Sequence, residues 1–492
     1  MASPHRVETA IAGLDVILGG GLPADRLYLV EGDPGTGKTT LALQFLLSGV
    51  RRGEPALYVT LSETHDELRV VAESHGWSLD GISIHELSSD ASLRTDTQYT
   101  VFHPSEVELG DTMNTVMQTL DRVRPRRVVF DSLSEMRLLA RDPLRYRRHI
   151  LALKQFFVGH DCTVLLLDDR TSAAGDLQLQ SIAHGVLRLE TLLPEFGGAR
   201  RRLRVMKLRG VAYTDGYHDY TIRTGGLDVF PRLVAADHRV PYASETVSSG
   251  VAALDALVGG GLSRGTSTLV MGPAGSGKSL LASHFVYQAA MRGDHAAVFI
   301  FDEGLDTYFR GTGGVGLDLE GLGRAGRLRV QQVDPAELSP GEFVARVRES
   351  VERDNARVVM IDSLNGYLNA MPEERLLTLH LHELFSYLRQ RGVLTISVMS
   401  QHGMMGQHML TPVDVSYLAD GVLLLRFFEA EGAIRKAVSM VKRRAGAHES
   451  SIRELHISST GISVSEPLRH FRGIMTGVPQ FDTSRPDDGA AR

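Results

Sequence analysis

Two stretches of this chain carry the residue types and spacing that hold a polyphosphate. Gly32-Asp33-Pro34-Gly35-Thr36-Gly37-Lys38-Thr39 fits G-x-x-x-x-G-K-S/T, and Gly272-Pro273-Ala274-Gly275-Ser276-Gly277-Lys278-Ser279 fits it again. Glycines at those places let the backbone curl until its N–H groups converge on phosphate oxygens. A helix starting at each lysine adds the positive end of its dipole. In such a loop Lys38 and Lys278 reach the β- and γ-phosphates, and the Thr39 and Ser279 hydroxyls ligate Mg²⁺. Thr40 and Leu280, next along each helix, complete the binding stretch. The expected ligands are ATP and Mg²⁺.

Hydrolysis asks for two further groups. Asp131 and Asp362 close the apolar runs in VVFDSL and VMIDSL, where a carboxylate supporting Mg²⁺ belongs. Glu63 and Glu303 follow another apolar run, equally far past each lysine. Each is a candidate to orient the attacking water or take its proton.

The elements around these residues read as alternating strands and helices. RLYLVEG (26–32) runs into the first glycine loop, and TTLALQFLLSGVRRG (39–53) has helical periodicity closed by a glycine. ALYVTLSE (56–63), RRVVFDS (126–132) and TVLLLDD (163–169) are apolar runs ending in polar residues. Continuous apolar runs suit parallel strands buried on both faces. Strands separated by helices imply an α/β fold with ligands at the carboxyl ends of the strands. After Arg202 the pattern changes to strands joined by turns.

The whole arrangement occurs twice. Segment 7–63 lies on 247–303 without a gap, so that Lys38 faces Lys278 and Glu63 faces Glu303. Asp131 and Asp362 then correspond, as do MKLRG (Lys207, Arg209) and VKRRAG (Lys442, Arg444). The repeat is far longer than a solenoid unit, which makes it a duplicated domain. The expected boundaries are 1–238 and 239–479, followed by a polar tail, 480–492, expected to be disordered.

Composition narrows the function classes. The chain has 492 residues, 43% hydrophobic and 23% charged, as in ordinary globular proteins. Its 53 Lys and Arg against 59 Asp and Glu give a net charge of −6, which argues against a general polyanion binder. One cysteine, Cys162, excludes intrachain disulfides and cysteine-cluster zinc sites, and reads as a buried strand residue. The start, MASPHRVETA, has no signal-peptide pattern, and no apolar run reaches the roughly 18 residues of a spanning helix. A cytoplasmic location without membrane contact is expected.

Together the GLD…GGG lead, the two loops, the glutamates, the DSL strand ends and KLRG resemble KaiC-like proteins, double-domain members of the RecA-like ATPase superfamily. The resemblance covers the chain from about Val7 to about Pro479. It implies two tandem RecA-like P-loop domains in a two-tier homohexameric ring, with ATP between neighbouring subunits. It implies that Lys207, Arg209, Lys442 and Arg444 reach the neighbour's phosphates. The second motif departs from the pattern, with Ala445 in place of a glycine. The family carries adjacent glutamates at the catalytic strand end; here the pairs are Ser62-Glu63 and Asp302-Glu303. Asp302 therefore joins the candidate catalytic set, and hydrolysis in the first half is expected to be slower or to depend on Glu63 alone. Clock members of the family autophosphorylate on a Ser-Thr pair. The matching pair here is Ser416-Tyr417, which leaves Ser416 as the candidate acceptor.

The reading is thus a slow Mg²⁺-dependent ATPase whose nucleotide state governs a protein partner of unidentified nature. The alternatives are a DNA-dependent motor or recombinase, and a nucleotide-gated scaffold. RYRRH (145–149) and Arg200-Arg201-Arg202 read as solvated or interface surface ahead of a nucleic-acid groove. His380 and His382 sit two apart on a helix and face different sides, and His402 and His408 lie in a loop with no metal-ligand pattern. GMMGQHMLTP is expected to be a mobile loop whose methionines suit an adaptable contact. Trp77 is expected to be packed.

Overall fold

A computed structural model describes residues 5–87, 104–140, 142–158, 160–170, 177–194, 197–369, 374–401, 415–444, 446–474 and 480–481. The loop GMMGQHMLTP, with His402 and His408, and Ala445 lie outside them. The chain divides into two compact units, Met1–Arg232 and Leu233–Arg492.

In the first unit, β1 (Arg6–Val7) and β2 (Leu22–Pro23) pair around α1 (Ala12–Ile17). Then follow β3 (Leu27–Gly32), α2 (Lys38–Val50), β4 (Ala56–Thr60), α3 (His65–Ser74), β5 (Ile82–Glu86) and α4 (Pro104–Val123). The chain continues through β6 (Arg127–Asp131), α5 (Leu133–Ala140), α6 (Pro143–Val158), β7 (Thr163–Asp169) and α7 (Leu177–Ile182). It ends with β8 (Gly185–Leu192), β9 (Arg200–Leu208), β10 (His218–Arg223) and β11 (Gly226–Phe230). The sheet order is β11-β10-β9-β8-β3-β7-β6-β4-β5. From β8 to β5 neighbours run parallel, and β8 to β11 form an antiparallel meander that begins at Gly185, ahead of the change of pattern read after Arg202.

The second unit repeats this. β12 (Thr246–Val247), α8 (Ala252–Leu257) and β13 (Leu262–Ser263) precede β14 (Ser267–Gly272), α9 (Lys278–Met291), β15 (His295–Ile300), α10 (Leu305–Gly313), α11 (Leu319–Arg324) and β16 (Leu328–Gln332). Next come α12 (Pro340–Glu352), β17 (Ala356–Asp362), α13 (Leu364–Asn369), α14 (Glu374–Gln390) and β18 (Leu394–Ser400). β19 (Gly421–Ala430), β20 (Ala433–Arg443), β21 (Ile452–Ser458) and β22 (Gly461–Pro467) complete a sheet ordered β16-β15-β17-β18-β14-β19-β20-β21-β22. Both units are therefore α/β, with mainly parallel sheets and helices on both faces.

The apolar runs are continuous because both faces of each sheet are covered. Tyr28 and Val30 of β3 pack with Leu41 and Phe45 of α2, while Leu27 and Leu29 pack with Ile150 and Leu153 of α6. In β14, Val270 meets Leu281 and Phe285 of α9, and Leu269 and Met271 meet Leu384 and Leu388 of α14. Each such side chain contributes about 1.5–3 kcal/mol when fully buried, which fixes the central strand and hence the loop at its end. Cys162 is buried among the first unit's core and its thiol is pushed up to about 12 by that burial. Trp77 is partly buried against the same unit's other core layer.

Candidate functional site

Each glycine loop joins the carboxyl end of the central strand to the helix that packs on it. A Cβ on Gly32 would lie 2.7 Å from Leu189 O and 2.7 Å from Thr36 Oγ1, and one on Gly272 would lie 2.7 Å from Leu425 O. Gly37 (φ 89°) and Gly277 (φ 98°) take the left-handed conformation immediately before α2 and α9. A Cβ there would also strike Ile222 Cδ1 at 2.6 Å and Ile457 Cδ1 at 2.7 Å. The loops are tied internally as well. Thr36 Oγ1 donates to Asp33 O (2.8 Å), Tyr220 OH donates to Thr36 O (2.6 Å), and Ser276 Oγ donates to Pro273 O (2.8 Å). What emerges is a preformed curl at a helix N-terminus, where free N–H groups and the dipole favour an anion.

The lysines lie inside that curl. Lys38 Nζ donates to Gly32 O (2.8 Å) and Asp33 O (3.1 Å), and Lys278 Nζ donates to Pro273 O (2.8 Å). Thr39 Oγ1 donates to Asp131 Oδ2 at 3.3 Å, so the hydroxyl and carboxylate read separately from the sequence meet. Tyr58 OH donates to the same Asp131 oxygen. In the second unit the corresponding strand position is Val298, and Asp362 Oδ2 is buried without a hydrogen-bond partner. Ser279 hydrogen-bonds the Asp362 carboxyl, which burial nevertheless pushes up to about 6. Burial also raises Asp131. The peptide bonds Asp131–Ser132 and Asp362–Ser363 are both cis.

An unpartnered buried carboxylate oxygen beside a hydroxyl is a donor set that fits Mg²⁺, which takes oxygen ligands and is completed by substrate phosphates. Among the described residues no group of three or more His, Cys, Asp or Glu forms a metal cage by itself.

Glu63 differs from its expected place. β4 stops at Thr60, and Thr60 Oγ1 brackets the turn by accepting from Glu63 N (2.9 Å) and donating to Glu63 O (2.7 Å). Glu63 thus stands in the turn that leads to α3, whose first residue follows the capping residue Thr64. Its Oε2 is buried without a partner. Burial, then the Asp131, Glu67 and Asp169 carboxylates, push it up to about 7 against the opposing pull of Lys38. Glu303 is likewise raised by burial and by Asp302. Asp302 Oδ2 accepts from Ser363 Oγ.

Asp169, like Tyr58, has no counterpart in the sequence reading. Asp169 Oδ1 lies 2.7 Å from Lys38 Nζ, because β7 is the direct neighbour of β3 and Gly32 is in register with Asp169. The two acids closing TVLLLDD were the available signal, but only strand order puts one of them on the lysine.

The cations of the KLRG motif go elsewhere. Lys207 Nζ donates to Gln180 O (2.5 Å) and Arg209 Nη2 to Ser181 O (2.9 Å). Their counterparts match, with Lys442 Nζ on Ser416 O (2.8 Å) and Arg444 Nη2 on Tyr417 O (2.6 Å). Register explains the position. Tyr28 pairs with Gly185 and Gly185 with Leu208, so this end of β9 lies beside the amino end of β3. At about 3.3 Å per residue the four steps from Tyr28 to Gly32 put that end roughly 13 Å from the glycine loop. Thr268, Gly421 and Arg443 repeat the relation.

Two parallel-sheet domains, each with a glycine loop, an enclosed lysine and a hydroxyl–carboxylate pair, define a duplicated P-loop nucleotide-binding protein of the RecA-like type. A family model described as the ATPase KaiC matches residues 7–234 and again 247–469. The chain belongs to the KaiC family of ATPases. It is 28% identical over 483 residues to the "Circadian clock oscillator protein KaiC" of Picosynechococcus sp., covering 96% of this chain and 92% of that one. The protein of the same name from Synechococcus elongatus is 28% identical over 482 residues, with 96% and 92% covered. "Circadian clock protein KaiC3" of Synechocystis sp. is 26% identical over 489 residues, with 97% and 95% covered. No helix among the described residues is long and apolar enough to cross a membrane.

Proposed function

We propose that each unit binds ATP with Mg²⁺ and hydrolyses it slowly, in a homohexameric ring whose nucleotide state governs binding of a regulatory protein. The observation that carries this is the doubled cradle: Lys38 with the Thr39–Asp131 pair, and Lys278 with Ser279 beside Asp362, both at the carboxyl ends of parallel strands. Loop amides of Gly32–Thr39 and Gly272–Ser279 bind the phosphates, with Thr40 and Leu280 continuing each stretch. Thr39, Asp131, Ser279 and Asp362 hold the metal, which when bound offsets charge on the β- and γ-phosphates. Glu63 and Glu303 accept the water's proton, and Asp302, engaged by Ser363, orients its neighbour.

Placement of Lys207, Arg209, Lys442 and Arg444 far from their own loops supports donation in trans, from one subunit to the next subunit's phosphates. The proposed functional domains are 1–238 and 239–479, a boundary six residues past the division of the compact units at Arg232, and the proposed location is the cytoplasm. Net charge of −6 favours this reading over a DNA-dependent motor. Autokinase activity at Ser416 is proposed as a second activity, resting on the match of Ser416-Tyr417 to the family's acceptor pair.

The test is ATP turnover by protein sized by light scattering, with and without DNA. A hexamer whose DNA-indifferent turnover falls in steps with Lys38→Ala and Lys278→Ala is expected, and intact mass after ATP incubation should show one added phosphoryl group that Ser416→Ala removes. Strong DNA stimulation would replace this reading with the motor, and an ATP-insensitive mass would remove the autokinase.

A further inference from the structure

The two phosphate loops are near copies, but their lysines are not in the same electrostatic setting. In the first unit the register Gly32–Asp169 puts a carboxylate 2.7 Å from Lys38 Nζ. In the second the equivalent register is Gly272–Ser400, so a neutral serine takes the same position on the strand. Among the described residues no carboxylate forms an ion pair with Lys278. Asp168, the other acid of the strand end, is engaged elsewhere by Arg137 at 2.9 Å. Asp169 is also held by Ser134 Oγ (3.2 Å) from the start of α5. In the second unit Asn365 occupies the matching place and bonds the Ser400 backbone, from Nδ2 to Ser400 O (3.0 Å) and from Ser400 N to Oδ1 (2.7 Å). The charge at Asp169 is thus a built feature of one half only.

On the reading that both loops bind ATP, we propose that Asp169 is a selectivity residue that biases the first site towards nucleoside diphosphate relative to the second. A phosphate oxygen bonded to Lys38 while Asp169 keeps its own bond lies within about two hydrogen-bond lengths of a carboxylate. The γ-phosphoryl group adds negative charge at that spot, and ADP does not. Like charges in a half-buried setting repel strongly, and the alternative, pulling Lys38 off Asp169, gives up a charge-assisted hydrogen bond. Both routes penalise the triphosphate more than the diphosphate. With Ser400 beside the second loop, no carboxylate among the described residues pairs directly with Lys278, and Asp362 and Asp302 act on it only at longer range.

The experiment uses the full chain, with Mg²⁺-ADP and a Mg²⁺-bound non-hydrolysable ATP analogue as probes. First-site affinities are read in Lys278→Ala and second-site affinities in Lys38→Ala. Asp169→Asn should shift the analogue-to-ADP affinity ratio of the first site about tenfold towards the analogue, equal to about 1.4 kcal/mol. Asp169→Glu should restore the original ratio, and Ser400→Asp should shift the second site's ratio the opposite way. A purely structural role would lower both affinities together and leave the ratio alone. Ratios unchanged within about twofold in both Asp169→Asn and Ser400→Asp would overturn the proposal while leaving ATP binding intact. Nucleotide binding at neither site would overturn the ATP reading, and this inference with it.

Discussion

At the scale of single residues, Glu63 sets a condition on the chemistry of the first site. Its carboxyl is pushed up to about 7 by burial and by the carboxylates of Asp131, Glu67 and Asp169. Below that pH it carries a proton and cannot accept another from water; above it, it can. First-site hydrolysis, measured in Lys278→Ala, should therefore rise as pH passes from about 6 to 8. Glu63→Gln should abolish that rise and lower turnover about 100-fold or more while nucleotide still binds. A flat profile in the unsubstituted glutamate protein would contradict the role. The glycines, the lysines and the hydroxyl–carboxylate pairs were legible in the sequence, because a phosphate loop imposes its spacing on consecutive residues. Asp169 and Tyr58 were not. Each reaches the site across neighbouring strands distant in sequence, so each looks locally like an ordinary strand residue.

Among the elements, the duplicated units show where identical architecture tolerates different residues. The helix α1 presses Gly13 on β11 so closely that a Cβ there would lie 1.8 Å from Val229 O. The matching position of the second unit is Ala253 in α8. Gly13→Ala should therefore cost the first unit about 2–3 kcal/mol through overpacking, even though the second unit carries alanine in the equivalent place. Chemical denaturation should show the loss as an earlier transition. Unchanged unfolding would mean that α1 shifts freely on the sheet. The strands themselves were readable because burial on both faces leaves continuous apolar runs, and the observed β3, β4, β6 and β7 fall inside the runs expected for them. The strand after α2 was read too long. Hydrophobicity continues through Leu61, whereas the ladder stops at Thr60, where a side-chain hydroxyl turns the chain towards α3.

For the whole molecule, the account rests on duplication. The family match in two segments and the repeated sheet order give each unit its own P-loop domain. The asymmetries lie in side chains that surround the loops: Tyr58 against Val298, Asp169 against Ser400, and Ser62 against Asp302. Such a chain should have two nucleotide sites of unequal character. Equilibrium binding of a Mg²⁺-bound fluorescent ATP analogue, titrated to saturation, tests this most directly. The stoichiometry should be two per chain in the native protein, one in Lys38→Ala, one in Lys278→Ala and none in the double variant. A single site in the native protein, or undiminished binding in the double variant, would contradict the account.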